Sequence, residues 1–336
     1  MISCQEYKII VNRNEQSFDG TGEEATVSCC LWGNRTKPLV VVLGGVSANR
    51  WAIQSKNGSG WWQQVINHSA VLNPDDYSFL SIDYCVFTDE NDGSNTVTTL
   101  DQARVIRAAQ EQLHLPVFHA VIGASYGGMV ALAFAAEYPN ALQRLVCIAA
   151  ADRSSVKNQA IRHIQRAIIK LGMSSSHPEK NNEHLALARA LAVIGYRGEA
   201  EFEQRFQAQS AEDSLRNVAS YVDHQGSKFR TQNPLRYLQL SYSIDVHQVD
   251  VSSIKAPTEL IAISSDQLVP LWSMRALQHK LKCPNTLNTI DSQYGHDGFL
   301  LESEQLNQQF KAIFNSFKFE ESHDITEPNN RCASGH

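Results

Sequence analysis

The chain has 336 residues, 43% of them apolar and 19% charged, with a formal net charge of −6. That composition supplies a sizeable core and excludes a disordered chain, and the acidic balance argues against a nucleic-acid partner. The longest apolar run, near residues 129–136, is too short to cross a bilayer. The opening residues MISCQEYKIIVNRNEQ lack the apolar stretch of a secretory signal, so a cytoplasmic location without a membrane partner is expected.

Six short apolar runs read as buried parallel strands: 39–43, 77–82, 118–122, 145–149, 259–263 and a weaker 286–290. Helical patterns at 100–113, 129–137, 272–281 and 302–317 lie between or after them. Such alternation predicts an α/β fold, a mostly parallel sheet with helices on both faces. One stretch breaks the rhythm. Residues 152–250 offer no strand pattern, and 154–171, 183–194 and 199–207 read as helices, so this stretch is expected to form a helical lid. The expected organisation is a first core segment at 1–151, the lid at 152–250, a second core segment at 251–317 and a loose polar tail at 318–336. Seven cysteines, an odd number without a C-x-x-C pair, suggest reduced buried thiols, with no metal site.

The sharpest local signal is Gly123-Ala124-Ser125-Tyr126-Gly127-Gly128. It directly follows one predicted strand and opens a predicted helix. Glycines on either side permit a tight turn that exposes the serine hydroxyl at the strand's end and at a helix N-terminus. A serine nucleophile needs a base, and the base needs an orienting carboxylate, in the chain order Ser, Asp or Glu, His. Asp266 sits just past the strand 259–263. Asp291 and Asp152 also follow predicted strands but rank below it. His279 lies in a helical pattern and His336 is terminal, whereas His296 lies in a glycine-flanked loop after the last strand. Ser125, Asp266 and His296 are therefore the expected catalytic residues of acyl chemistry through an acyl-enzyme. The oxyanion hole should use the backbone N–H of Tyr126 and one from the loop Leu43-Gly44-Gly45-Val46-Ser47, at Val46 or Gly45.

Further segments narrow the reaction. Gly60-Trp61-Trp62, the elbow continuing as Gly127-Gly128-Met129, the lid stretch from Leu187 to Arg197, Phe202 to Phe206, Gln225 to Phe229, Tyr237-Leu238 with Asp245, and the closing Gly295-His296-Asp297-Gly298-Phe299-Leu300 occur in the order and spacing of one family. The chain resembles the homoserine O-acyltransferases of the α/β-hydrolase superfamily, the enzymes that activate homoserine for methionine synthesis. That resemblance implies the α/β-hydrolase fold, acyl-CoA as co-substrate, an acetyl group (with succinyl as the alternative) carried by ping-pong to L-homoserine, and a homodimer joined through lid helices. By position, it implies that Arg189 holds the substrate carboxylate, Asp297 the ammonium, and Tyr196 lines the pocket. The alternatives are serine as acceptor, or an esterase or thioesterase with the same triad. The chain departs from the family pattern at 83–97, at Ala124 and Tyr126 of the elbow, and in the Leu-Gly-Gly-Val-Ser loop, all near the acyl pocket. Arg153, Lys157, Arg162, Arg166 and Lys170 are a candidate basic face for CoA phosphates, the last three at i, i+4 and i+8 of one helix; a merely solvated face is an equal reading.

Overall fold

Unbroken apolar runs, as opposed to alternating ones, mark the centre of the sheet. A computed structural model describes residues 2–12, 24–55, 58, 60–86, 97–174 and 181–324. Among them eight strands form one sheet: β1 (Cys4–Asn12), β2 (Glu24–Trp32), β3 (Leu39–Leu43), β4 (Ser78–Ile82), β5 (Ala120–Ala124), β6 (Leu145–Ile148), β7 (Thr258–Ile263) and β8 (Asn285–Ile290). The spatial order is β1-β2-β4-β3-β5-β6-β7-β8. From β4 onward along this order every neighbouring pair is parallel. Every residue of β3 and β5 is buried, because both faces of these strands are covered. Val41 and Leu43 face one apolar cluster while Val40 and Val42 face the other. Each such side chain removed from water contributes roughly 1.5–3 kcal/mol.

Helices α1 (Thr99–Gln112), α2 (Tyr126–Glu137) and α8 (Leu271–Lys280) supply the first cluster; α10 (Ser303–Asp324) and the segment around Trp62 supply the second. Helix α2 is apolar on every side and buried from Tyr126 to Ala135, as befits a helix enclosed by sheet and neighbours. Between β6 and β7 come α3 (Val156–Met173), α4 (Asn181–Tyr196), α5 (Glu199–Arg205), α6 (Ala211–Ser227) and α7 (Pro234–Val246). Their starts carry local signals: Ser155 and Ser210 cap α3 and α6, and Asn233 caps α7 ahead of Pro234. Close packing of α4 on α6 depends on Gly226, where a Cβ would sit 2.4 Å from the Ala186 carbonyl oxygen. The short α9 (Gly298–Leu301) precedes α10.

Three features differ from the sequence expectations. The antiparallel strands β1 and β2 were not anticipated; they extend the sheet at its edge, where β1 pairs with β2 and Ile9 alone among its described side chains is buried. Helices α6 and α7 fill a stretch of the lid where no helix had been placed. Helix α10 continues to Asp324, so the tail boundary at 318 falls inside it. Lys318, Glu320 and Glu321 have good helix propensity, in keeping with the longer helix. The rest of the expected tail, with Cys332 and His336, lies outside the described residues, as does most of the divergent stretch 83–97. Of the six described cysteines, five are buried.

The order of the strands positions the site. The chain runs from β3 to β4 on one side and then to β5 on the other, so the sheet has its switch point between β3 and β5. Loops leaving the C-terminal ends of these two strands diverge and open a crevice. The elbow and the Gly-rich loop are those loops.

Candidate active site

Ser125 follows β5 with φ 55° and ψ −122°. A non-glycine residue with positive φ is strained by roughly 1–3 kcal/mol, and the surroundings hold it there. Its N–H donates to the Ile148 carbonyl at 2.9 Å, and its carbonyl accepts from Gly128 and Met129. The turn requires glycine nearby: a Cβ on Gly123 would lie 2.1 Å from the Gly127 carbonyl oxygen, and one on Gly127 would lie 2.3 Å from that of Leu43. Gly127 N–H also donates to the Gly44 carbonyl at 2.9 Å, which joins the elbow to the Gly-rich loop after β3.

The loops after β7 and β8 deliver the partners. Asp266 Oδ1 accepts from the N–H groups of Leu268 and Val269 at 2.8 and 2.9 Å. Its Oδ2 lies 2.6 Å from His296 Nδ1, and His296 Nε2 lies 2.7 Å from Ser125 Oγ. A carboxylate oxygen only accepts, so Nδ1 carries the imidazole proton and Nε2 accepts from the serine hydroxyl. Asp266 and His296 are buried. Burial opposes charging of His296, but the charge and hydrogen bond of Asp266 outweigh it and raise the imidazole pKa above 6.5. The rival carboxylates are engaged elsewhere: Asp152 pairs with Lys280 at 2.5 Å, and Asp291 accepts from Ser264. His279 ends α8.

Among the described residues, neither the Val46 nor the Tyr126 N–H donates to another backbone group. Both residues line the cavity that contains Ser125 and His296, with a volume of about 930 Å³. The Gly-rich loop is buttressed from behind. Tyr84 donates to the Gly44 carbonyl, and the ring of Trp61 sits so close that a Cβ on Gly44 would lie 2.9 Å from it. Trp61 also donates to the Asn49 carbonyl and stacks on buried Trp62. The Gly-Trp-Trp segment is thus the foundation of this loop.

The lid contributes a buried cation. Arg189 on α4 is 4% exposed. Its Nη2 donates to Ser47 Oγ at 3.1 Å and its Nη1 to the Tyr196 hydroxyl at 3.4 Å. The guanidinium lies 4.0 Å over the ring of Phe229 and 5.1 Å from that of Tyr237, and its Nε has no acceptor. No carboxylate lies within ion-pair distance of it among the described residues. Burial, the largest influence, works against its charge; the flanking oxygens of Tyr196 and Tyr237 reverse the balance and hold its pKa above the usual value. Tyr196 also lies nearly parallel to the His296 ring, 6.0 Å away. The chain here runs flush against the histidine loop, since a Cβ on Gly198 would meet the Gln293 carbonyl oxygen at 2.1 Å. Asp297 makes a loose ion pair with Arg197 at 3.5 Å, and burial raises its carboxyl pKa.

The structure separates the five residues of the candidate basic face. Arg162 and Arg166 turn inward onto Asp245, at 2.6 and 2.7 Å, the second without hydrogen-bond alignment. Arg153 and Lys157 are exposed along the cavity wall, and Lys170 is exposed on the same helix. Sequence reasoning also passed over Arg236 of α7. Its Nη1 and Nη2 donate to the Val46 and Ala48 carbonyls at 2.9 and 3.0 Å. Nearby on α7, Ser243 shares a 2.8 Å hydrogen bond with the Tyr126 hydroxyl. An arginine among Leu and Tyr on a helix gives no local sign of such a contact.

A strained serine at the sheet's switch point, backed by a histidine and an aspartate from later strand ends, defines a protein of the α/β-hydrolase fold poised for acyl chemistry. Comparisons agree and go further. A family model described as the alpha/beta hydrolase fold matches residues 38–303. A homoserine O-succinyltransferase of Xanthomonas campestris is 32% identical over 82% of this chain and 75% of its own length. A homoserine O-acetyltransferase of Thermus thermophilus is 32% identical over 77% and 73%. The crystal structure of homoserine O-acetyltransferase from Bacillus anthracis superposes with a TM-score of 0.79, at 16% identity over 92% of this chain and 97% of that one. The chain belongs to the homoserine O-acyltransferases of the α/β-hydrolase fold. No described helix is long and apolar enough to cross a membrane.

Proposed function

We propose that the protein carries an acyl group from acyl-CoA to the hydroxyl of L-homoserine through an acyl-enzyme on Ser125, a step in methionine biosynthesis. His296 Nε2 takes the Ser125 proton as Oγ attacks the thioester carbonyl. The Val46 and Tyr126 N–H groups receive the oxyanion, and Asp266 stabilises the imidazolium. The carbon–sulfur bond breaks, and the CoA thiol leaves with the proton from His296. The acceptor hydroxyl then gives its proton to His296 and attacks the acyl carbon; Ser125 recovers the proton as the ester departs. Arg189 holds the acceptor carboxylate, Asp297 its ammonium, and Tyr196 closes the wall between them.

The observation that carries the reading is Arg189. A triad serves a hydrolase equally well, but a buried guanidinium caged by aromatic rings, with no carboxylate partner among the described residues, fits a carboxylate-bearing acceptor. The cavity accommodates the donor's pantetheine arm, with exposed Arg153 and Lys157 beside it for phosphates. The lid also exposes Ile164, Leu171, Leu187 and Leu215, which supports a homodimer through this surface; sedimentation of a L187E/L215E variant as a monomer tests it. The function is tested by following CoA release with and without homoserine. Release that depends on homoserine and yields O-acylhomoserine is expected. Fast release indifferent to homoserine, with free carboxylic acid as product, would establish a hydrolase instead.

A further inference from the structure

The loop that offers the Val46 N–H runs directly over the nucleophile. A Cβ on Gly45 would lie 3.9 Å from Ser125 Oγ. The direction of the Val46 N–H is that of the Gly45–Val46 peptide plane. Glycine at 44 and 45 makes rotation of that plane cheap. A flipped plane would aim a carbonyl at the reacting oxygen and remove the donor. The partners of the loop's carbonyls show what opposes the flip. The Gly44 oxygen accepts from the Tyr84 hydroxyl and the Gly127 N–H, and the Gly45 oxygen accepts from the Ala48 N–H at 2.9 Å. The Val46 and Ala48 oxygens accept from Nη1 and Nη2 of Arg236 at 2.9 and 3.0 Å. A flip would have to break the Gly45–Ala48 bond, and Arg236 grips both residues that bond depends on for its place, the one after the plane and the one that donates. A planar fork of N–H donors suits two carbonyls two residues apart.

Arg236 belongs to the lid helix α7. Two turns further along, the same face of α7 presents Ser243, which shares a 2.8 Å hydrogen bond with the Tyr126 hydroxyl. Tyr126 carries the other N–H assigned to the oxyanion. One lid helix therefore holds both residues whose amides receive that charge, by contacts made away from the substrate. From the core side Tyr84 completes the grip, its ring edge-on to that of Tyr126 at 4.8 Å.

The geometry points to Arg236 as a positioning residue: together with Ser243 it fixes the oxyanion hole from the lid, so the hole is complete only when α7 is seated on the core. The inference rests on the acyl chemistry proposed above and holds for any acyl donor. Attack on the thioester then takes place under a seated lid, which keeps water from the acyl-enzyme.

The test uses the full chain and an alkylthio trifluoromethyl ketone. Ser125 Oγ adds to the ketone carbon, the serine proton passes to His296, and the ketone oxygen becomes an oxyanion in the hole. Its affinity, read by calorimetry, reports the hole independently of any donor. Arg236→Met should weaken the ketone by about tenfold or more and slow single-turnover acylation of Ser125 by a similar factor with acetyl-CoA and succinyl-CoA alike, without raising the half-saturating donor concentration. A purely structural role would lower the unfolding temperature and leave the ketone affinity of the folded variant unchanged. A folded Arg236→Met protein that binds the ketone within about threefold of wild type overturns the inference. Selective loss of one thioester also overturns it and makes Arg236 a donor contact. If the wild type binds the ketone but neither thioester acylates Ser125, the transferase reading falls, and the ketone affinities still decide the inference. Should Arg236→Met not fold, Arg236→Lys and Ser243→Ala take its place, each weakening the ketone by about threefold or more; unchanged affinity in both overturns the inference.

Discussion

Replacing Asp266 by Asn tests the electrostatic logic of the site at one atom. Oδ1 accepts from two backbone N–H groups while Oδ2 faces His296 Nδ1. An asparagine has one acceptor oxygen and one NH2. If the NH2 faced the backbone, two buried N–H donors would lose their acceptor at about 1–3 kcal/mol each. The oxygen therefore stays with Leu268 and Val269, and the NH2 points at His296. The imidazole answers by accepting at Nδ1 and carrying its proton on Nε2, where it can no longer accept from the Ser125 hydroxyl 2.7 Å away. Recovering the active tautomer sets two donors against each other. Losing that hydrogen bond and the imidazolium's counter-charge together is expected to cost about 4–5 kcal/mol, a fall in kcat of roughly 10³–10⁴. Burst measurements of CoA release before steady state should locate the loss in Ser125 acylation, and thermal unfolding should show a folded protein. A folded Asp266→Asn enzyme within tenfold of wild type would refute the reasoning.

Three further outcomes are expected. Because Asp266 raises the His296 pKa above 6.5 against the effect of burial, kcat/KM should rise with pH on a limb whose apparent pKa exceeds 6.5; a limb at or below that value contradicts the assignment. The same shift favours the folded state below pH 6.5 and ceases to do so as pH rises through the folded value. Arg189→Met should raise the homoserine KM by at least about tenfold, with the loss falling on transfer more than on Ser125 acylation; equal loss in both half-reactions, measured by rapid quench, would exclude a carboxylate role. Buried His247 accepts from the Thr99 hydroxyl at Nδ1 and donates to the Ala151 carbonyl from Nε2, and burial lowers its pKa to about 4. Its neutral form supports stability above pH 6.5, and that support is lost as pH falls from 6.5 towards 4, by up to about 3 kcal/mol. Urea unfolding of His247→Gln at pH 7 and pH 4.5 should show a smaller acid loss than wild type; parallel losses would refute it.

How far the sequence reaches is best seen at particular residues. Ser125 was legible because its requirements are local: a buried strand, glycines two residues away on either side and a helix start, all within one short stretch. Asp266 and His296 were legible by chain order, since each follows a strand, although nothing local showed that Nε2 would meet the serine oxygen. The unbroken apolar runs of β3, β5 and β6 marked the sheet's centre for the same local reason. The edge strands β1 and β2 escaped notice, because β1 mixes polar and apolar residues without a clean period (CQEYKIIVN) and is held by antiparallel pairing with the next strand.

The tertiary structure alone decided what the lid's charges meet. Helical periodicity places Arg162, Arg166 and Lys170 on one face, but whether that face sees solvent or Asp245 depends on how α7 packs across α3. Arg236 on α7 is separated along the chain from the Val46 carbonyl it binds by more than the lid's first three helices. A charge's partner is set by proximity in space, and proximity across an inserted lid follows from the packing of entire helices, which no short stretch of sequence encodes.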